Sequence, residues 1–132
     1  MNVDNKVISE WKRLADMDLA TAKHLFEVYR PIPIEIVCFH CQQAAEKMLK
    51  SFLVFNGIEP PKIHDLRELL KMCIAINDGF NEIKKEATSL TRYAVVPRYP
   101  AEFQIEKSDA KIAIKYAEKV KDYVYRFLIL PT

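Results

Sequence analysis

Apolar residues recur at three- and four-residue steps along most of the chain, the spacing that gathers them on one side of an α-helix. The pattern predicts helices at about residues 4–29, 33–56, 65–76, 80–90 and 108–128, of which the fourth is the shortest. The longest predicted loop lies between the last two helices. Four principal helices joined by short links predict an all-α fold, an up-and-down bundle of about five helices.

The residues at the predicted helix ends are types that start and stop helices. Pro31 and Pro33 end the first helix, because proline lacks a backbone donor and disfavours helical geometry in the residue before it. Asn56-Gly57 is typical of a helix C-terminus. The run from Asp65 to Glu68 has the reciprocal pattern of a capping box, and Ser108 is the predicted N-cap of the last helix.

Composition indicates one domain over residues 1–132. Half of the 132 residues are hydrophobic and only two are glycine, so the chain can bury a core but lacks the turn residues of a short-stranded fold. The formal net charge of +2 indicates no general affinity for nucleic acid or for membranes. The charged first residues and the absence of a long apolar stretch predict a protein with no membrane span. Three cysteines favour a reducing compartment, so a cytoplasmic location is predicted.

The second predicted helix has an unusual polar side. Its core stripe includes Cys38, Cys41 and Phe52. Nearly opposite, a helical wheel places a mixture of polar and apolar residues: Ile36, Phe39, His40, Gln43, Lys47, Lys50 and Val54. In one interpretation these long side chains simply lie over neighbouring helices. In the other, His40, Gln43 and Lys47 form a homodimer seam or the wall of a site.

Asp18 falls on or beside the apolar stripe of the first helix, where an unpaired carboxylate would be costly. Either it reaches water at the edge of the stripe, or it pairs with an arginine or tyrosine of residues 92–99. Both interpretations stay open at the level of the sequence.

No motif predicts a metal or a cofactor. Cys38-Phe-His-Cys41 has the C-x-x-C spacing, but it lies inside a helix without a second pair, so buried free thiols are the better interpretation. The chain also lacks a glycine-rich phosphate loop. A phosphate would instead be held where the third helix begins, near His64, or in the long loop. That loop combines two arginines that can bind phosphates with two tyrosines that can stack on bases: Arg92, Tyr93, Arg98 and Tyr99.

Three stretches are similar to one known family: the run FHCQQAAEKMLKSFLVFNGIEPPKIHDLRELL, RYP within the long loop, and the final helix SDAKIAIKYAEKVKDYV. With them, nearly the whole chain resembles the HEPN family of nucleotide-binding domains from higher eukaryotes and prokaryotes. The matching positions in the first two are Gln43, Glu46, Lys47, His64-Asp65 and Arg98-Tyr99-Pro100. The resemblance implies a helical bundle that is usually dimeric. It also implies a minimal nucleotidyltransferase as partner, in some cases within a toxin and antitoxin pair.

Other branches of the family are metal-independent ribonucleases with an Arg-x(4–6)-His motif. This chain lacks that motif, because His24, His40 and His64 all precede Arg92 and Arg98 and no histidine lies at the required distance after an arginine. The first hypothesis is therefore a non-catalytic dimer that binds a nucleotide through Arg98, Tyr99, Tyr93 and Arg92. Lys47 and His64 are possible neighbours of that nucleotide. The alternatives are a divergent ribonuclease that uses His40 or His64, and a purely structural dimer.

Overall fold

Five α-helices account for most of the fold in the computed structural model, which describes residues 5–96 and 104–128. Two short 3-10 helices flank the fourth α-helix. The elements in chain order are α1 (Asn5–Val28), α2 (Ile34–Phe55), α3 (Leu66–Ile76), a 3-10 helix (Asp78–Ile83), α4 (Lys84–Leu90), a 3-10 helix (Thr91–Tyr93) and α5 (Lys107–Tyr125). No strand is present in the described ranges, and the predicted all-α class is confirmed.

Helix α2 is the central element, and the other four helices contact it. More than half of its residues are buried, including Cys38, Cys41, Met48 and Leu49, as the core stripe predicts. Opposite α2, the small residues Ala15 and Ala22 of α1 and Ala113 and Ala117 of α5 are buried as well and allow close helix packing. At one end of the core, four aromatic rings pack against one another: Phe52, Phe80, Tyr123 and Phe127.

The C-terminus of α2 is closed as the sequence predicts. Gly57 has a φ of 75°, in the left-handed region that favours glycine. Its N–H donates to the Val54 carbonyl at 2.9 Å, and the N–H of Ile58 donates to the Leu53 carbonyl at 2.9 Å. These two bonds form a Schellman motif, which satisfies carbonyls that the helix leaves free.

The capping contacts at two helix starts differ from the predicted ones. At α3, the Asp65 side chain accepts from the Arg67 N–H at 2.9 Å, but Glu68 pairs with Lys71 at 3.2 Å and does not complete a capping box. At α5, the N-cap is Glu106 and not Ser108, because the Asp109 carboxylate accepts from the Glu106 N–H at 2.7 Å and starts the helix earlier.

The predicted fourth helix is shorter than expected, because the first half of it is a 3-10 helix. The Asn77 side chain accepts from the Gly79 N–H at 2.9 Å and fixes a tight entry. A Cβ atom on Gly79 would approach the Tyr123 hydroxyl to 2.7 Å, so a larger residue here would force the Tyr123 side chain to shift. Only from Lys84 does the chain continue as an α-helix.

Candidate functional site

The polar side of α2 carries a cluster that joins it to α1. The Asp18 carboxylate lies between two side chains of α2: one oxygen is 2.9 Å from His40 Nδ1, and the other accepts from the Lys47 ammonium. Only 12% of the Asp18 side chain is exposed, so its two partners replace most of the water that would otherwise surround the carboxylate. Because an ionised carboxylate can only accept, His40 Nδ1 is the donor in this pair.

This cluster refines the expectations for Asp18. Its side chain is mostly covered by its partners but remains 12% exposed, so it keeps a small contact with solvent. Its partners among the described residues are His40 and Lys47, not Arg92 or Tyr93. The sequence therefore predicted correctly that His40 and Lys47 face the same way, but it missed that α1 supplies their shared carboxylate.

A second cluster joins α2 to the segment before α3. The Glu46 side chain is 6% exposed, and one of its oxygens accepts from Lys50 at 3.0 Å. The other oxygen lies 2.9 Å from Nδ1 of His64, whose side chain is 66% exposed. The carboxylate fixes Nδ1 as the donor, so Nε2 is the ring nitrogen left for another partner.

Two glutamines extend this second cluster along α2. Gln42 is buried and donates to the His64 carbonyl at 3.0 Å and to Glu46 at 3.3 Å. Gln43 donates in turn to the Gln42 side-chain oxygen at 2.7 Å. A continuous chain of hydrogen bonds therefore runs from the half-buried Gln43 to His64.

The expectation that Lys50 lies beside the solvent side of α2 is wrong. Its side chain is only 8% exposed, and Glu46 one turn earlier compensates its charge. The burial follows from the central position of α2, which is covered on this side by α1 and by the chain that follows Gly57. Gln42, Glu46 and Lys50 recur at four-residue steps, and this spacing is the signal that could have grouped them.

Arg92 lies at a separate cleft between α4 and α5. Its guanidinium lies 4.6 Å from the centre of the Tyr93 ring, donates to the Tyr93 hydroxyl at 2.6 Å, and approaches Asp109 to 3.9 Å. The cavity beside it has a volume of about 290 Å³. Its polar lining consists of Thr88, Ser89, Arg92, Tyr93, Asp109 and Tyr116. The Arg92 side chain remains 56% exposed, so several of its five N–H donors can reach a ligand.

Tyr93 does not suit the base-stacking role that the sequence suggested. The residue is 6% exposed, and burial raises the pKa of its hydroxyl. The ring instead supports the Arg92 guanidinium. Arg98 and Tyr99, the other predicted loop contacts, lie outside the described residues. Within the described ranges, no hydrogen bond or ion pair links Arg92 to Lys47 or His64.

The three cysteines are free thiols and all are buried, as predicted. Burial raises the pKa of Cys38 and of Cys73 to about 12, and it raises the pKa of Cys41 as well. Such thiols are poor nucleophiles and poor metal ligands at neutral pH. In the part of the chain that the structure describes, no group of three or more His, Cys, Asp or Glu side chains could hold a metal ion.

The sequence matches the HEPN domain over residues 8–127, which is most of its length. The chain belongs to the HEPN family. A search of curated proteins gave no match.

Two solved structures share the fold. TT1696 from Thermus thermophilus superposes with a TM-score of 0.76 at 23% identity, over 90% of this chain and 96% of that one. ST0689, an archaeal HEPN homologue, superposes with a TM-score of 0.72 at 26% identity, over 92% of this chain and 98% of that one. The five-helix bundle is thus the fold of this HEPN domain. Among its described helices, none is both long and apolar enough to cross a bilayer.

Proposed function

We propose that this HEPN domain is a non-catalytic dimer that binds a phosphate-bearing nucleotide, free or on a partner, in the cleft beside Arg92. The observation that carries the proposal is that the Arg92 guanidinium is held in place and still accessible. Tyr93 supports it through stacking and a hydrogen bond, at the rim of a cavity of about 290 Å³, while half of the side chain stays exposed. A guanidinium held in this way loses little freedom when it binds a phosphate.

The other groups around the cavity suit the rest of a nucleotide. The Thr88 and Ser89 hydroxyls on α4 can donate to phosphate oxygens, and Asp109 on α5 can accept from sugar hydroxyls. The volume lies near the lower end of the usual range for ligand pockets, about 300–1,000 Å³. Arg98 and Tyr99, a few residues further along, are proposed as additional contacts to the phosphate and the base.

Arg92→Ala tests this proposal. In calorimetric titrations with AMP, the variant is expected to lose at least about tenfold in affinity, because hydrogen bonds to charged groups contribute about 1.5–3 kcal/mol. Arg13→Ala is the matched control, since Arg13 is exposed on α1 and pairs only locally with Glu10 and Met17 among the described residues. Adenosine, which lacks the phosphate, should bind the native protein and Arg92→Ala alike. Equal affinity of both proteins for AMP would reject the proposed site.

The partner that family resemblance suggests is a minimal nucleotidyltransferase, and we propose that the two act as a module of the toxin and antitoxin kind. The half-buried side of α2, with His40, Gln43 and Lys47, is the proposed dimer seam. Co-expression of this chain with the nucleotidyltransferase encoded beside it, if one is present, should yield a complex on size-exclusion chromatography. Two separate peaks at micromolar concentration would contradict this part of the proposal.

A second candidate function is metal-independent RNA cleavage with His64 as the acid or base. It is favoured by the pairing of exposed His64 with buried Glu46, which orients the imidazole as general acid–base catalysis requires. RNA cleavage in excess EDTA should then disappear in His64→Ala and fall in Glu46→Gln. His24→Ala, a change at an exposed residue of α1, should retain the activity. If the native protein leaves RNA intact, this candidate is excluded.

A further inference from the structure

A second cavity lies at the opposite side of α2 from the core, where α1 begins and α2 ends. Its volume is about 510 Å³, within the range of ligand pockets. Most of its wall is apolar and comes from three parts of the chain: Val7 and Trp11 of α1, Val54 of α2, and Ile58, Pro60 and Pro61 of the connecting segment. The two prolines and the Gly57 turn restrict the backbone, so this wall is largely preformed.

A buried cation forms part of this apolar wall. The Lys50 side chain lines the cavity and is 8% exposed. An ammonium group has three N–H donors, and among the described residues only Glu46 accepts from it, at 3.0 Å. Glu46 also lies 2.9 Å from His64 Nδ1, so Lys50 is one of two partners of this carboxylate. Within the described residues, the ammonium therefore has N–H donors left for a second acceptor inside the cavity.

The charged residues of the lining decide which polar group the ligand can carry. Lys62 and Glu59 lie on the connecting segment and complete the lining. Glu46 compensates Lys50, and Glu59 offsets Lys62, so the cavity has no excess of either charge. What distinguishes the lining is that the buried Lys50 ammonium can only donate, so the polar group of the ligand must be an acceptor. A doubly charged phosphate would bring more negative charge than this balanced lining can compensate. One carboxylate on an apolar body matches both the donor and the walls.

From this combination we infer that the cavity binds an amphipathic carboxylate, a small organic acid whose apolar body lies against Trp11 and the two prolines while its carboxylate accepts from Lys50. The site is separate from the cleft of Arg92 and does not depend on nucleotide binding. Lys62 at the same cavity supplies a second, weaker attraction, because it is exposed to solvent.

Trp11 is the single tryptophan of the chain, so its fluorescence reports on this cavity directly. Titration of the intact protein with octanoate should shift the tryptophan emission to shorter wavelength in a saturable way, because the acyl chain displaces water from the indole. Octanol, which has the same apolar body without the charge, should bind about tenfold more weakly, the difference expected for a hydrogen bond to a charged group.

Two variants test the contribution of the Lys50 charge to affinity separately from that of the apolar wall. Lys50→Met should lose about tenfold in octanoate affinity and leave octanol affinity unchanged. Because this change leaves Glu46 with one fewer partner, Lys50→Met/Glu46→Gln removes both charges and provides a test in a balanced background. Lys115→Met, on exposed α5, is the control. An absent emission shift, equal affinity for octanoate and octanol, or full octanoate affinity in the double variant would each overturn the inference.

Discussion

Glu86 is a buried carboxylate that has Lys119 as its charged partner among the described residues. The residue lies on α4, and its side chain is 5% exposed. One carboxylate oxygen accepts from Lys119 of α5 at 3.0 Å, while the other has no hydrogen-bond partner within the described residues. Asp18 and Glu46 each have a lysine and a histidine as partners, so Glu86 is the least compensated of these three carboxylates.

Lys119→Met should therefore destabilise the protein more than an ordinary surface change. The variant leaves a buried carboxylate without its cation, and we expect a loss of about 1–3 kcal/mol in the free energy of unfolding, since Lys119 itself is half exposed. Urea denaturation followed by circular dichroism measures this loss.

The double variant Glu86→Gln/Lys119→Met provides the control, because it removes both charges. It should recover most of the stability that Lys119→Met loses. A single variant that is as stable as the native protein would show that the pair contributes nothing.

At the level of single residues, the sequence predicts which side of a helix a residue faces but not how deeply that residue is buried. The pattern predicts His40, Gln43 and Lys47 on one side of α2, and all three are half-buried there. Lys50 was assigned to the same side and is buried, because α1 and the chain after Gly57 cover that end of the helix. Periodicity contains no information on which neighbour covers a face. For the same reason it could not show that Asp18 lies between His40 and Lys47.

At the level of elements, helix ends were predicted well where one residue decides them. Gly57 ends α2 because it adopts a positive φ, and Asp65 starts α3 because its side chain caps the first turn. The start of α5 was missed because Glu106 and Asp109 act together, and Ser108 between them is the stronger cap by residue type. The 3-10 start of the fourth helix follows the tight entry that the Asn77 side chain fixes, and the spacing of apolar residues does not distinguish it from an α-helix.

The cap of α3 should make stability depend on pH. The hydrogen bond from Arg67 holds the pKa of Asp65 at about 2, below the ordinary value of 3.8. A carboxyl group with a lowered folded pKa stabilises the protein above its unfolded pKa, and this stabilisation is lost as the pH falls from about 4 to about 2. The effect is small because Asp65 is partly exposed.

Two variants of Asp65 distinguish the cap from the charge. Asp65→Ala should cost about 1 kcal/mol at neutral pH, the usual value of an N-cap. Asp65→Asn should keep most of the cap and lose the dependence on pH between about 4 and 2. Thermal unfolding at several pH values measures both. An unchanged pH profile in Asp65→Asn would show that Asp65 does not carry the effect.

At the level of the whole molecule, the central position of α2 leaves one partly open side. Ile36, Phe39, His40, Gln43 and Lys47 are all half-buried there. A two-fold axis passing this side would place these residues in one self-complementary contact, in which each residue meets a different residue of the partner except at the axis itself. The proposed dimer therefore predicts a sharp response to a charge introduced into this contact.

Ile36→Glu should convert the proposed dimer to monomers, because the seam would bury a carboxylate that has no partner. Light scattering coupled to size-exclusion chromatography measures the mass. Val28→Glu is the matched control, since Val28 is an apolar residue exposed at the end of α1. If Ile36→Glu keeps the mass of the native protein, α2 does not form the seam.

The buried cysteines can be used to detect local opening of the bundle. Cys38, Cys41 and Cys73 have no accessible surface, and only a minute fraction of each exists as thiolate at neutral pH. Alkylating reagents can therefore modify them only during moments when the helices separate. Cys38 and Cys41 lie on α2 and Cys73 on α3, so mass spectrometry of the modified peptides would tell which helix leaves the core first.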